Sequence, residues 1–274
     1  MVENAQTLTR STTWAAWLRG FAQEAVLPAL VMVGLVGIWE ASVWFFKIPV
    51  YLLPAPSVIW ADCAEISDVI LNHTLATLHT VLIGFLVSIV ISVPLAVVLT
   101  SSKGIATAVY PVLVITQAIP KVALAPLLVI MLGANELPRV VITFLVAFFP
   151  LVIASATGLM SVPHDLIELG RSYKISLWQE LCRIRLPYAV PMIFSGLKVA
   201  ITLSVVGAVV GEFVNADKGL GFLIVSASAF FQVPVAFGAL VLLSLMGVVL
   251  FQVIVVIERI FFPWSAESAG NSFM

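Results

Sequence analysis

Residues 25–46 read Ala25-Val26-Leu27-Pro28-Ala29-Leu30-Val31-Met32-Val33-Gly34-Leu35-Val36-Gly37-Ile38-Trp39-Glu40-Ala41-Ser42-Val43-Trp44-Phe45-Phe46, with Glu40 as the one ionisable group. The hydrocarbon core of a bilayer is about 30 Å thick and a helix rises about 1.5 Å per residue, so roughly 20 apolar residues cross it. The segment ahead of this stretch is polar, with Arg10 and Arg19, and no short apolar core with a small-residue cleavage site follows it. Residues 25–46 therefore read as a retained membrane helix and not as a cleaved signal. Working outward, five more stretches meet the same criterion, near 75–100, 106–132, 139–160, 189–212 and 235–260. The expected fold is all-α, a polytopic membrane protein of about six transmembrane helices. One membrane domain spans 25–262, between a tail at 1–24 and a tail at 263–274.

Composition agrees. Of 274 residues, 62% are hydrophobic and 10% are charged, and the mean hydropathy is +1.16. A soluble domain carries about 25% charged and 45–50% apolar residues. A net charge of -1 gives no basic face for nucleic acid. Cys63 and Cys182 make neither a disulfide framework nor a zinc pattern, and the expected topology puts them on opposite sides of the membrane. His73 and His79 are six apart and His164 lies in a loop, which suits no metal site. No phosphate-binding Gly-x-x-x-x-Gly-Lys-Ser/Thr sequence occurs, and Gly219-Leu220-Gly221 lacks the third glycine of a dinucleotide fingerprint. No nucleophile sits in a catalytic setting, so no catalytic residue, metal or bound cofactor is expected.

The third stretch is the least regular, because Pro111, Pro120 and Pro126 fall within it. Backbone groups freed by proline persist at membrane depth only where other helices or a wet cavity satisfy them, so this span should face the bundle. Orientation follows from Lys and Arg. With the N-terminus inside, Arg10, Arg19, Lys103, Arg171, Lys174, Arg183, Arg185 and Arg259 are cytoplasmic, against Lys47, Arg139 and Lys218 outside. Both termini should then be cytoplasmic.

The longest cytoplasmic connection holds Pro163-His164-Asp165-Leu166-Ile167-Glu168-Leu169-Gly170-Arg171-Ser172-Tyr173-Lys174, then Ser176-Leu177-Trp178-Gln179-Glu180 and Ile184-Arg185-Leu186-Pro187. Pro163 suits a first helical turn, with Asp165 and Glu168 near its positive end. A second short helix is expected from near Ser176, stopping at Leu186-Pro187. Two short helices with exposed apolar residues form a docking surface for a soluble partner.

This loop resembles the Glu-Ala-Ala loop of binding-protein-dependent ABC importer permeases, in which a glycine and then Ile-x-Leu-Pro follow at fixed spacing. Glu168 holds the first position, and Ile184, Leu186 and Pro187 the last three. Leu169 and Gly170 replace the two alanines, and Lys174 replaces the glycine. If that glycine serves a left-handed turn, a lysine there costs roughly 1–2 kcal/mol, unless the turn differs or a partner compensates. The resemblance extends to Leu53-Pro54-Ala55-Pro56-Ser57, Ile119-Pro120-Lys121, Ser195-Gly196-Leu197-Lys198, Gly211-Glu212-Phe213 and Gly219-Leu220-Gly221. Together these are similar to the nitrate, sulfonate and taurine branch, whose relatives also carry pyrimidine and riboflavin-type precursors.

The resemblance implies a permease subunit in the bacterial inner membrane, working as a homodimer in lipid. Two copies of a cytoplasmic ATP-binding subunit would use the ATP, and an external binding protein would deliver a small nutrient. It further implies that the coupling loop, 163–187, meets the ATPase through Glu168, Leu169, Gly170, Arg171, Ser172, Lys174, Leu186 and Pro187. Ionisable groups at membrane depth are costly and mark pathways or ion pairs. Lys121 and Lys198 are pathway candidates that could attract an anion, with Thr116 and Gln117 as neutral hydrogen-bonding candidates and Glu212 as an outer pairing or gating group. Gly207 and Gly211 form a Gly-x-x-x-Gly face for close helix packing. The alternative is a carrier driven by an ion gradient, which usually shows inverted repeats and midplane carboxylates; neither is visible in this sequence.

Overall fold

The computed structural model describes residues 14–265, and every regular element among them is helical. In chain order they are α1 (Trp14–Phe46), α2 (Pro56–Glu65), α3 (Ser67–Ser101), α4 (Lys103–Ala118), α5 (Lys121–Leu132), α6 (Leu137–Met160), α7 (His164–Ser172) and α8 (Leu177–Glu180). A π-helical turn at Leu181–Arg185 leads into α9 (Leu186–Val214), followed by α10 (Leu220–Ala229) and α11 (Val233–Phe261). Among the described residues, five helical runs are long and apolar enough to cross a membrane, and α4 with α5 forms a further pair bent by 90°. The first helix starts at Trp14, ahead of the expected 25, and the remainder of the two expected tails lies outside the described residues.

The stretch expected as one span at 106–132 is two half-helices. Proline disfavours the helical region for the residue before it, and Ile119 is extended at φ -67°, ψ 125°. Pro111 and Pro126 sit inside α4 and α5 without breaking them. The pair nonetheless carries the chain across the membrane. Gly84 of α3 abuts Thr143 of α6, and Ser88 and Ser92 donate to the carbonyls of Phe144 and Phe148 at 3.3 and 3.1 Å. Both sets of numbers rise together, so α3 and α6 run parallel and α4–α5 must return the chain between their opposite ends. Two ends result: the loop end, with residues 161–176, and the far end, with residues 47–55 and 215–219.

Small residues set the core. A Cβ on Gly207 would stand 2.7 Å from the Thr143 Cα, and one on Gly211 would stand 2.9 Å from the Arg139 Cα. The Gly-x-x-x-Gly face of α9 thus packs against α6 of the same chain, at a backbone separation only small residues allow. Val81, Phe85, Ala147, Leu151, Ala200 and Ile201 fill the centre among α3, α6 and α9. α1 stands apart, with Leu30, Val33, Ile38 and Trp44 exposed. It is tied down by Glu40, which accepts from the Ser57 amide (3.1 Å), the Ser57 hydroxyl (2.7 Å) and the Trp44 indole (2.8 Å), so this carboxylate caps the first turn of α2.

Candidate functional site

At the loop end, α7 and α8 project an apolar and aromatic surface. Leu166, Leu169 and Tyr173 are exposed, and Leu177 and Trp178 are 80% and 71% exposed. Such a surface at the end of a membrane bundle marks an interaction site. Glu168 is exposed and lies 3.2 Å from His164 Nδ1 across one helical turn. Ser172 donates back to the Glu168 carbonyl. Lys174 has φ 54°, so the left-handed turn between α7 and α8 is present with a lysine in it. Ser176 then starts α8 with a capping box: its hydroxyl accepts from the Gln179 amide, and the Gln179 side chain accepts from the Ser176 amide. Gly170 is buried because Ile175 and Ile184 close over it; a Cβ there would stand 2.8 Å from both Cδ1 atoms.

The second short helix does not stop at Leu186-Pro187, as the sequence suggested. It continues into α9 as one run, Leu177–Val214. A proline ring clashes with the carbonyl four residues back, which for Pro187 is that of Arg183. The helix widens to a π turn over Leu181–Arg185 just before it. Leu186 is half-buried and Pro187 exposed. Beneath this surface Glu180, 3% exposed, accepts from Arg171 Nε at 3.3 Å and from Arg185 Nε and Nη2 at 2.8 and 2.6 Å.

At the α4–α5 break, Thr116, Gln117 and Lys121 border one small, almost wholly apolar pocket of about 90 Å³, with the Thr116 hydroxyl turned back to the Val112 carbonyl at 2.8 Å. The opposite wall is Phe144, Phe148 and Phe149 of α6, with the Phe144 and Phe148 rings 5.2 Å apart. Lys198 is not among them. Its ammonium lies 2.6 Å from a carboxylate oxygen of Glu258 on α11, and the other oxygen accepts from the Ser265 hydroxyl at 2.7 Å. Lys198 is half-buried, and its charge is matched by the buried Glu258 carboxylate.

Glu212 is at the far end, 2% exposed. It and two side chains of α3 satisfy three successive amides that open α10. His73 Nδ1 accepts from Gly219 at 3.0 Å, Thr77 Oγ1 from Leu220 at 2.7 Å and Glu212 Oε2 from Gly221 at 2.8 Å. Helix N-termini leave such donors orphaned. Gly219, at φ 125°, takes a conformation that favours glycine. Arg139 of α6 completes the region by donating to the Lys218 carbonyl at 3.3 Å.

Sequence reasoning missed Glu180, Glu258, His73 and Thr77. His73 and Thr77 are four apart on one face of α3, which is a readable spacing, but their partners lie more than 140 residues along the chain. Glu258 is 60 positions from Lys198, with nothing local to link them.

A broken span, five further membrane-length helices and an exposed apolar loop surface at one end are the frame of a polytopic membrane protein. The chain belongs to the family of the binding-protein-dependent transport system inner membrane component, whose model matches residues 88–266. It is 36% identical over 265 residues to the riboflavin transport system permease protein RibX of Chloroflexus aurantiacus, covering 95% of this chain and 98% of that one. It is 34% identical over 242 residues to the formylaminopyrimidine transport permease protein ThiX of Halalkalibacterium halodurans, covering 88% and 96%. Permeases named for sulfonates, nitrate and taurine also match. An inward-facing structure of the MetNI methionine ABC transporter shares the fold, with TM-score 0.62 and 20% identity over 71% of this chain and 97% of that one. The chain is thus a multi-pass permease subunit of an ABC importer for a small nutrient, not an enzyme. ATP hydrolysis lies in a separate subunit, and a substrate-binding protein is a further partner.

Proposed function

We propose that this chain forms one half of a homodimeric pathway for a small heteroaromatic nutrient of the pyrimidine- or riboflavin-precursor kind. The observation that carries the substrate reading is the pocket at the α4–α5 break, where Thr116, Gln117 and Lys121 oppose Phe144, Phe148 and Phe149. Aromatic walls favour a flat ring, and the Gln117 amide and Lys121 ammonium beside the pocket suit its carbonyl and nitrogen edge. With Lys198 neutralised by Glu258, one lysine remains at the break, which is little for a strongly anionic sulfonate or nitrate. The names of the relatives at 34% and 36% identity point the same way.

Two copies of a cytoplasmic ATPase dock on the 163–187 loops, with Glu168, Leu169, Gly170, Arg171, Ser172, Lys174, Leu186 and Pro187 in or beneath the contact. This reading is supported by the exposed Leu177 and Trp178 beside them. A cytoplasmic loop end, with both termini on the same side, is supported by the excess of Lys and Arg expected there. The second copy is supported by the uncovered α1 and by a groove of about 740 Å³ between α9 and α11, lined by Val206, Val210, Phe213, Val248 and Phe251.

The test is uptake into proteoliposomes holding the permease, its ATPase and its binding protein, with labelled formylaminopyrimidine, riboflavin and taurine. ATP-dependent accumulation of a ring compound, reduced by Phe148→Ala or Lys121→Met, is the expected result. Accumulation of taurine alone overturns the substrate reading and leaves the importer reading intact.

A further inference from the structure

The geometry points to Glu180 as the positioning residue that joins the two loop helices to α9, so that movement of the docked ATPase turns the membrane helix instead of flexing the loop. This rests on the reading of 163–187 as the ATPase surface. Glu180 is the last residue of α8 and is 3% exposed. Arg171 reaches it from α7, and Arg185 reaches it from the turn that leads into α9. One carboxylate therefore binds three elements.

The Arg185 contact depends on the π turn. Residues five apart on a regular α-helix lie about 140° apart around the axis, so Arg185 would point away from Glu180. The wider turn, closed by the Leu186 amide on the Leu181 carbonyl, brings the guanidinium back over the carboxylate. Two of its nitrogens then bond one oxygen at 2.8 and 2.6 Å. π turns inside helices are often found at functional sites. Here the turn and the ion pair sustain one another, and α9 continues from them to Val214 without interruption. Gly170 contributes from the other side, since its missing side chain lets Ile175 and Ile184 close directly onto α7. Leu169, Tyr173, Leu177 and Trp178, the exposed surface, thus stand on one block whose only continuous exit is α9.

A merely structural ion pair would affect assembly and nothing else, so the test reads nucleotide-driven movement at the opposite end of α9. A single cysteine is placed by Val214→Cys in a Cys63→Ser, Cys182→Ser background, because Val214 is exposed at the far end of that helix and outside the α9–α11 groove. The complete complex with its ATPase, in nanodiscs, is labelled with a maleimide before and after trapping with ATP and vanadate. The change in labelling rate is compared with that in Glu180→Gln and in Arg185→Gln, a variant outside the docking contact that frees the π turn and leaves the Arg171 contact in place. Both variants should keep the ATPase bound and hydrolysing, and their labelling response should fall below half of the unaltered chain's. A larger response in Glu180→Gln, or in Arg185→Gln if the first variant fails to assemble, overturns the proposal, as does the absence of any response in the unaltered chain. ATPase retention by a Glu168→Arg, Leu169→Asp double variant, measured by pull-down, would instead remove the docking reading on which it rests.

Discussion

Lys174 and Lys198 are two lysines in unusual settings, and they separate what a local pattern can reveal from what it cannot. The resemblance of the loop to the family pattern pointed to a turn at Lys174, and the angle of 54° there is the left-handed one that glycine adopts freely. Relief of that conformation should make Lys174→Gly more stable by about 1 kcal/mol, with ATPase binding retained. The check is the thermal unfolding midpoint in detergent beside a pull-down; a lower midpoint, or loss of the ATPase, would show that the lysine side chain makes a contact worth more than the strain. Lys198 was legible as an ionisable group at membrane depth, but its partner was not, because Glu258 comes from a different helix. Removing one member of a buried pair strands the other, at a cost of about 3–5 kcal/mol. Lys198→Met should therefore destabilise strongly, and adding Glu258→Gln should restore most of the midpoint. Normal stability with failed uptake in the single variant would return Lys198 to the pathway.

At the scale of elements, what the sequence made readable is what depends on neighbours in the chain. Hydrophobic length located the six crossings, and Pro111, Pro120 and Pro126 marked the third as irregular, although only Pro120 breaks it, through the extended Ile119 beside it. The π turn was hidden for the opposite reason: Leu186-Pro187 looks like a stop, and only the packing of Leu181–Arg185 allows the helix to continue through it. The docking of α10 was equally invisible, since its first amides are held by His73, Thr77 and Glu212 from two other helices. Glu212→Ala leaves the buried Gly221 amide without an acceptor, which costs about 1–3 kcal/mol. Local opening at this end should rise accordingly, by roughly tenfold for each 1.4 kcal/mol. Trypsin cleavage after the exposed Lys218 measures it, and Glu212→Gln, which keeps an acceptor oxygen, should cleave like the unaltered chain. Equal cleavage of the alanine and glutamine variants would mean that His73 and Thr77 alone hold α10.

The arrangement of the whole molecule joins these parts and sets which of them share a face. Parallel α3 and α6 require the broken pair to cross, which makes six crossings and returns the end of α11 to the side of α7 and α8. Cys63 in α2 and the exposed Cys182 then report from opposite faces. With the loop end in the cytoplasm, a membrane-impermeant maleimide added to right-side-out vesicles should reach Cys63 alone, and inside-out vesicles should expose Cys182. The two thiols should also differ in kinetics. Burial, with the Asp62 carboxylate beside it, raises the Cys63 thiol above its ordinary value, and only the thiolate reacts. A raised value means a smaller thiolate fraction at neutral pH, so Cys63 should label slowly at pH 7. Its rate should climb with pH through the alkaline range, where an ordinary thiol has already levelled off. Labelling of Cys63 that levels off about one pH unit above the ordinary thiol value, as an open thiol does, would show that α2 does not pack on α11 at Gly238, where a side chain would collide with the Cys63 sulfur. Labelling of Cys182 from outside would invert the molecule and put the 163–187 loop out of reach of any cytoplasmic ATPase.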